Sequence, residues 1–253
     1  MHALYSVAEI RAIEQAALAE LPPGTLMQRA GQAAAVAALA LLPAPDPARQ
    51  AEARVLVLVG PGNNGGDALE VAFQLSQAGF EVCALLADIA RQSADAQQAL
   101  ARAQGSAVQF VDPTFLPEIA VTDWDLVVDG LFGIGLQRAI GGVLREVVDA
   151  VNRLRCPVLA LDIPSGLDAD SGNIVGPHGV AVRASHTISF IADKPGLHTC
   201  YGRDHVGALE IASLAIEPRH FSRAQAHLTE IASFSQSLRP RLHNSHKRSE
   251  AHV

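Results

Sequence analysis

Aromatic residues make up only 4% of this 253-residue chain, and it has one tryptophan and two methionines, so large rings cannot dominate its core. Alanine is abundant instead, which points to helices packed closely through small side chains. Cysteine is scarce as well. Cys83, Cys156 and Cys200 are odd in number and widely spaced, which excludes a disulfide scaffold. Cys83 and Cys156 fall in apolar runs and read as small core residues, as expected in a reducing cytosol. There is no excess of positive charge: 19 Lys and Arg stand against 26 Asp and Glu, a net charge of −7. That balance argues against nucleic acid as the main partner, because binding a phosphate backbone needs a basic face. No segment approaches the ~18 uninterrupted apolar residues of a membrane span, and no basic stretch leads into an apolar one at the N-terminus. The expectation is a cytoplasmic protein with no membrane partner.

Several catalytic signatures are missing too. There is no G-x-x-x-x-G-K-S/T, so a nucleotide-triphosphate loop is excluded, and no G-x-S-x-G, so a serine-hydrolase elbow has no support. Tyr201 is followed four places on by His205 rather than by a lysine. Five of the ten histidines lie after Pro218, yet they form no H-E-x-x-H or H-x-x-E-H pair and have no cysteine beside them.

What is present is an alternation of buried strands and helices. Ser6 and Glu9 form an S-x-x-E capping box, and Ile10, Ile13, Ala17 and Leu21 follow on one helical face. A second helix is expected over 26–42, and a proline cluster at 43–47 then breaks the chain. Strands are expected at 54–59, 81–86, 108–111, 126–129, 158–161, 187–190 and 208–211, with helices at 67–78 and 93–104 and a third after Gly142. Apolar strands alternating with helices imply a parallel sheet covered on both faces. Ligands of such sheets bind beyond the carboxyl ends of the strands.

Three of those ends carry loops of unusual composition: Gly60-Pro61-Gly62-Asn63-Asn64-Gly65-Gly66-Asp67, then Asp129-Gly130-Leu131-Phe132-Gly133-Ile134-Gly135-Leu136-Gln137-Arg138, then Asp162-Ile163-Pro164-Ser165-Gly166-Leu167-Asp168-Ala169-Asp170. If the three strands are neighbours, the loops line one crevice. The first loop matches the dinucleotide fingerprint G-x-G-x-x-G at Gly60, Gly62 and Gly65. Asp67 would put negative charge where a pyrophosphate needs a helix N-terminus, which disfavours an ordinary dehydrogenase. Asp129 and Asp162 each follow a buried strand. They read either as turn-capping carboxylates or as acid–base groups, and two at matching positions beside glycines favour the second. Asn64, Asp129 and Ser165 supply oxygens suited to a hard cation. Asp168 and Asp170 read as a polar turn with Gly172. Arg138 either meets a phosphate or is a solvated loop charge. Lys194 either places a proton or phosphate or is a surface lysine.

GPGNNGGD, DGLFGIGLQR and LDIPSGLDADSG resemble the signature segments of the YjeF N-terminal domain family, the NAD(P)HX epimerases. LMQRAG (26–31) and TISFIADKPGL (187–197) extend the resemblance, which covers roughly residues 5–216. It implies a Rossmann-like three-layer α/β/α sandwich with a mostly parallel sheet, usually a homodimer. It also implies interconversion of the R and S forms of hydrated NADH or NADPH with one bound potassium ion (K+) per subunit. Carried over by motif, Asn63, Asn64, Gly65, Gly66 and Asp67 contact the nucleotide. Gly133, Ile134, Gly135, Leu136, Gln137, Arg138 and Ala139 wrap its phosphates. Asp162 touches the reactive end and is the candidate acid/base, and Asn64, Asp129 and Ser165 ligate potassium. Ala68 and Ile134 depart from the family's usual glycine and threonine.

Residues 233–253 are polar, basic and without periodicity. They resemble the linker and opening strand that lead into the ADP- or ATP-dependent dehydratase domain of bacterial bifunctional proteins. The expected organisation is an epimerase domain over 1–232 and a linker after it, with the dehydratase half absent. Two other functions remain open at this stage: an NAD(P)-dependent oxidoreductase, and a non-catalytic binding module of the same fold.

Overall fold

Valine and leucine alternate along residues 54–59, and that alternation sorts the whole molecule into layers. In the computed structural model, which describes residues 2–42, 53–87, 93–229 and Phe234, Val55, Val57 and Val59 face one hydrophobic cluster while Leu56 and Leu58 face another. The elements in chain order are β1 (His2–Leu4), α1 (Val7–Leu18), α2 (Thr25–Leu41), β2 (Arg54–Val59), α3 (Asn63–Gln77), β3 (Glu81–Leu86), α4 (Ala94–Gln104) and β4 (Gln109–Val111). Next come α5 (Leu116–Val121), β5 (Leu126–Gly130), α6 (Gly142–Val151), β6 (Val158–Leu161), β7 (His186–Phe190), α7 (Gly202–His205), β8 (Ala208–Ala212) and β9 (Ala226–Leu228). Helices α1 to α4 contribute to the first cluster, and α5 and α6 to the second, giving three layers.

The central sheet has seven strands in the order β4-β3-β2-β5-β6-β7-β8, and every pairing in it is parallel. The chain leaves β2 for β3 on one side and returns to β5 on the other. The helices after β2 and β5 therefore cover opposite faces, and a crevice opens between the two strand ends. The register sets Leu58 beside Asp129 and Asp129 beside Ala160, so β2, β5 and β6 are neighbours and their loops converge. A second sheet pairs β1 with β9 antiparallel, with Ala3 opposite His227; the sequence alone did not suggest it.

Small side chains set the helix packing. On α2, Ala30, Ala34, Ala35 and Ala38 are buried, and a side chain at Gly31 would run into Cβ of Glu70 on α3. The capping box at the start of α1 forms on both sides: the Ser6 N–H donates to Glu9 at 2.8 Å and the Glu9 N–H donates to Ser6 Oγ at 3.3 Å. α4 ends at Gln104, as expected, with Gly105 as its C-cap. Cys83 is buried, whereas Cys156 is only half-buried against the second cluster.

One helix start shifts by more than a single residue. α3 begins at Asn63 rather than Asp67, so the Asn-Asn-Gly-Gly stretch is its first turn and Asp67 lies in its second. Asn and Gly are poor helix formers and read as loop in isolation; tertiary packing overrides that preference here. The proline cluster at 43–47 and the 233–253 tail, apart from Phe234, lie outside the described residues. No helix of the described residues is long and apolar enough to cross a membrane.

Gly60 sits where β2 and β5 diverge. Its N–H donates to the Gly130 carbonyl at 3.1 Å, and an added Cβ would lie 1.7 Å from the Leu131 carbonyl oxygen. Because that neighbour is backbone, it cannot rotate away. Gly60→Ala is therefore expected to lower unfolding free energy by at least about 2 kcal/mol, the range of overpacked sites. Gly62, the N-cap of α3, has nothing within 4 Å of its would-be Cβ, so Gly62→Ser should be near neutral. Urea unfolding of the two variants checks the contrast.

Candidate active site

Beyond the carboxyl ends of β2, β5 and β6 lies a cavity of about 760 Å³, within the range of small-molecule and cofactor sites. Its walls include Asn63, Asn64 and Asp67 from α3, the loop from Leu131 to Gly141, and Asp162 after β6. The loops anticipated from sequence thus meet in one place. Gly65 and Gly66 lie behind the wall, against the Gly60 backbone and the Met27 side chain.

Asp162 is held from three sides. Its backbone takes φ 67°, the left-handed region that aspartate tolerates better than most residues, and its N–H donates to Ile188 O at 2.7 Å. Its Oδ1 pairs with Lys194 Nζ at 2.9 Å, and its Oδ2 accepts the Ile134 N–H at 3.3 Å. Lys194 is not a surface lysine, and it does not line the cavity. It is 0% exposed, and its ammonium also donates to Ser189 Oγ at 2.6 Å, Phe190 O at 3.0 Å and Ala192 O at 3.2 Å. Gly133 lets the second loop close over this pair, since a Cβ there would stand 3.0 Å from Asp162 Oδ2.

Asp129 lies deeper than a strand-end turn would place it. It is inside β5, 0% exposed, and outside the cavity lining. Its Oδ1 accepts the Ser165 hydroxyl at 2.7 Å and its Oδ2 accepts the Ser165 N–H at 2.8 Å. Burial pushes its carboxyl up to about 6 despite these bonds. Among the described residues no Lys, Arg or His forms an ion pair with it. The Asn64 side chain is buried with both its amide oxygen and its nitrogen lacking a hydrogen-bond partner. An orphaned buried oxygen in the first turn after β2 and a buried carboxylate without a counter-ion in the neighbouring β5 are donors suited to a hard monovalent cation. No cluster of three or more His, Cys, Asp or Glu that could hold a metal occurs among the described residues.

Asp67 is a second buried acid on the cavity wall, 9% exposed. Burial pushes its carboxyl well above the ordinary range, and Asp162, Glu14 and Glu70 push it further. Glu14 on α1 is raised as well, by burial and by Asp162, with Arg11 opposing. Ile10, Arg11, Glu14 and Leu18 of α1 line the cavity, a contribution missed from sequence. The available signal was position: Glu14 is four residues after buried Ile10, one helical turn along the same stripe.

Arg138 is exposed and lines the cavity with its neighbours in the loop. Asp168 makes the expected turn, accepting from the Ser171 N–H at 2.8 Å, with Gly172 at φ 72°. Asp170 instead accepts the Val7 N–H at 2.7 Å and ties the start of α1 to the third loop.

A doubly wound parallel sheet with an acid-walled cavity at its switch point defines a Rossmann-like α/β protein with a cavity of small-molecule size. The chain belongs to the family described as YjeF-related protein N-terminus, whose pattern it matches over residues 23–196. It is 43% identical over 212 residues to the NAD(P)H-hydrate epimerase of Bordetella bronchiseptica, covering 80% of this chain and 86% of that one. The same-named protein of Achromobacter xylosoxidans is 42% identical, with 84% and 95% covered. The bifunctional NAD(P)H-hydrate repair enzyme of Leishmania braziliensis is 37% identical over 85% of this chain but only 37% of its own length. Among solved structures, yeast ynu0 superposes with a TM-score of 0.68 over 82% of this chain and 86% of that one; at 20% identity it supports the fold alone.

The raised Asp67 carboxyl has a consequence for stability. The folded protein keeps this proton to higher pH than the unfolded chain does, so the contribution is full below about pH 4 and is lost as pH rises towards the folded value. Asp67→Asn should therefore melt close to wild type at pH 4 and above it at pH 8. Melting curves across that range check both sign and window.

Proposed function

We propose that this chain is an NAD(P)H-hydrate epimerase, interconverting the R and S forms of hydrated NADH and NADPH. Beside its family membership, the observation that carries this reading is Asp162, placed on the cavity wall by the buried Lys194 ammonium and the Ile134 N–H. In hydrated NAD(P)H the hydroxyl sits on the ring carbon bonded to the ring nitrogen. The nitrogen lone pair expels that hydroxyl when an acid protonates it, leaving an iminium ion. Water returning to the opposite face inverts the centre, and a base takes its proton.

Asp162 suits the second half of this cycle. A fixed, largely buried carboxylate stabilises a cationic ring and accepts a proton as water adds. The loop from Gly133 to Ala139, with the Arg138 and Arg11 guanidinium groups on the same cavity wall, suits the phosphates of the nucleotide. An oxidoreductase is the weaker reading, because two buried acids, Asp67 and Asp162, stand on the cavity wall beside the start of α3. A purely structural module would have no need of two buried acids on a cavity wall.

Asn64, Asp129 and Ser165 fit one potassium ion per subunit through their oxygens. Bound there, the ion would offset the buried charge of Asp129 and fix the three loops; as a poor Lewis acid it is assigned no chemical step. An ADP- or ATP-dependent dehydratase, fused or separate, is the partner that would consume the product, and a homodimer is the proposed assembly.

Asp162→Asn is expected to cut epimerisation at least about 100-fold, the size of an acid–base contribution, while nucleotide still binds. The variant should also melt lower, since Lys194 loses its counter-charge in a buried site. Epimer ratios followed by chromatography decide it, and a rate within a few-fold of wild type would remove Asp162 from the role. Potassium, compared with tetramethylammonium at equal ionic strength, should raise the melting temperature, because a ligand of the folded state alone stabilises by mass action. Identical curves would count against the cation site.

A further inference from the structure

We propose that Asp67 is the proton donor that releases the hydroxyl, working with Asp162, which takes the proton of the incoming water. This rests on the epimerase reading and divides its acid–base chemistry between two carboxyl groups.

The two acids share a cavity but not an environment. Asp162 is tied to Lys194, to the Ile134 N–H and, at 3.5 Å, to the Phe190 N–H. Asp67, in the second turn of α3, is nine-tenths buried on the cavity wall and has no hydrogen-bond or ion-pair partner among the described residues. The titratable groups around it are mostly acids: Asp162 after β6, Glu14 on α1 and Glu70 on α3, with Asp95 of α4 also on the cavity wall. Lys194 is enclosed by Asp162, Ser189, Phe190 and Ala192, and Arg102 pairs with Glu70. Arg11 and Arg138 also stand on the cavity wall, and neither forms an ion pair with Asp67 among the described residues. A buried carboxyl among acids, with no cation paired to it, is favoured in its neutral form, and a neutral carboxyl can donate. Burial and the same three acids raise its proton affinity, in keeping with this. A neutral carboxyl beside a carboxylate that is paired with an ammonium is a usual arrangement for separate acid and base roles.

The proton account closes. The Asp67 proton passes to the hydroxyl oxygen, the ring C–O bond breaks, and the nitrogen lone pair becomes the C=N bond. Water, an iminium ion and the Asp67 carboxylate result. Water then adds to the other face, the C=N electrons return to nitrogen, and the released proton goes to Asp162. Exchange with solvent moves that proton back to Asp67 between turnovers.

The test is steady-state epimerisation of NADPHX across pH 5–10 by the unchanged chain, Asp67→Asn and Asp67→Glu. The unchanged chain should lose rate as pH rises and Asp67 deprotonates. Asp67→Asn should lose at least about 100-fold in kcat with KM changed by no more than a few-fold, and its alkaline decline should disappear. Asp67→Glu, which keeps a carboxyl in a longer side chain, should retain more activity than Asp67→Asn. The proposal is overturned by an Asp67→Asn kcat within a few-fold of wild type, by a raised KM at unchanged kcat, by an unchanged alkaline limb, or by a glutamate variant no better than asparagine. No epimerisation by the unchanged chain would instead overturn the functional reading beneath it.

Discussion

A lysine with no solvent exposure holds this site together. Lys194 lies just beyond the end of β7, and its ammonium binds Asp162 beyond β6 together with Ser189, Phe190 and Ala192. Burying an ammonium costs several kcal/mol unless it is paired and hydrogen-bonded throughout. Here the pairing fixes the direction of the Asp162 carboxylate and supports its left-handed backbone. The second loop then closes over that carboxylate, because Gly133 leaves room and the Ile134 N–H bonds to it. The geometry of the cavity wall around Asp162 follows from that one enclosed charge.

The rest of the sheet makes such a closure possible. Reversal of strand order between β2 and β5 opens the crevice, and the Gly60–Leu131 approach keeps the two loops from spreading further. Asp129 and Ser165 join the second loop to the third below the cavity, through two hydrogen bonds shorter than 3 Å. Asn64, on the cavity wall, keeps its buried amide unsatisfied. The wall is thus cross-linked by hydrogen bonds at its base and carries polar groups on its face.

Much of this was legible in the chain. Buried Val/Leu runs marked the strands, glycine-rich stretches after three of them marked the crevice, and Asp162 and Asn64 were singled out by place. Other features were not, for physical reasons. The Asn-Asn-Gly-Gly turn of α3 contradicts local helix propensity and is settled by packing against the sheet. Lys194 could be read either way, because nothing local to 187–197 shows that Asp162 comes to meet it. Glu14 and Arg11 enter the cavity through the docking of α1, fixed by contacts such as Asp170 to the Val7 N–H across 163 residues. The pairing of β1 with β9 joins the first residues to 226–228, too distant for any periodicity to reveal.

The central claim is that this cavity inverts one carbon of a hydrated nicotinamide ring. The most direct measurement starts from NADPHX enriched in a single epimer, adds the chain in potassium buffer, and follows the R and S forms by chromatography. The account predicts that samples begun from either epimer converge on one ratio, at a rate that scales with protein concentration and far exceeds the rate in buffer. Convergence no faster than in buffer alone would contradict it.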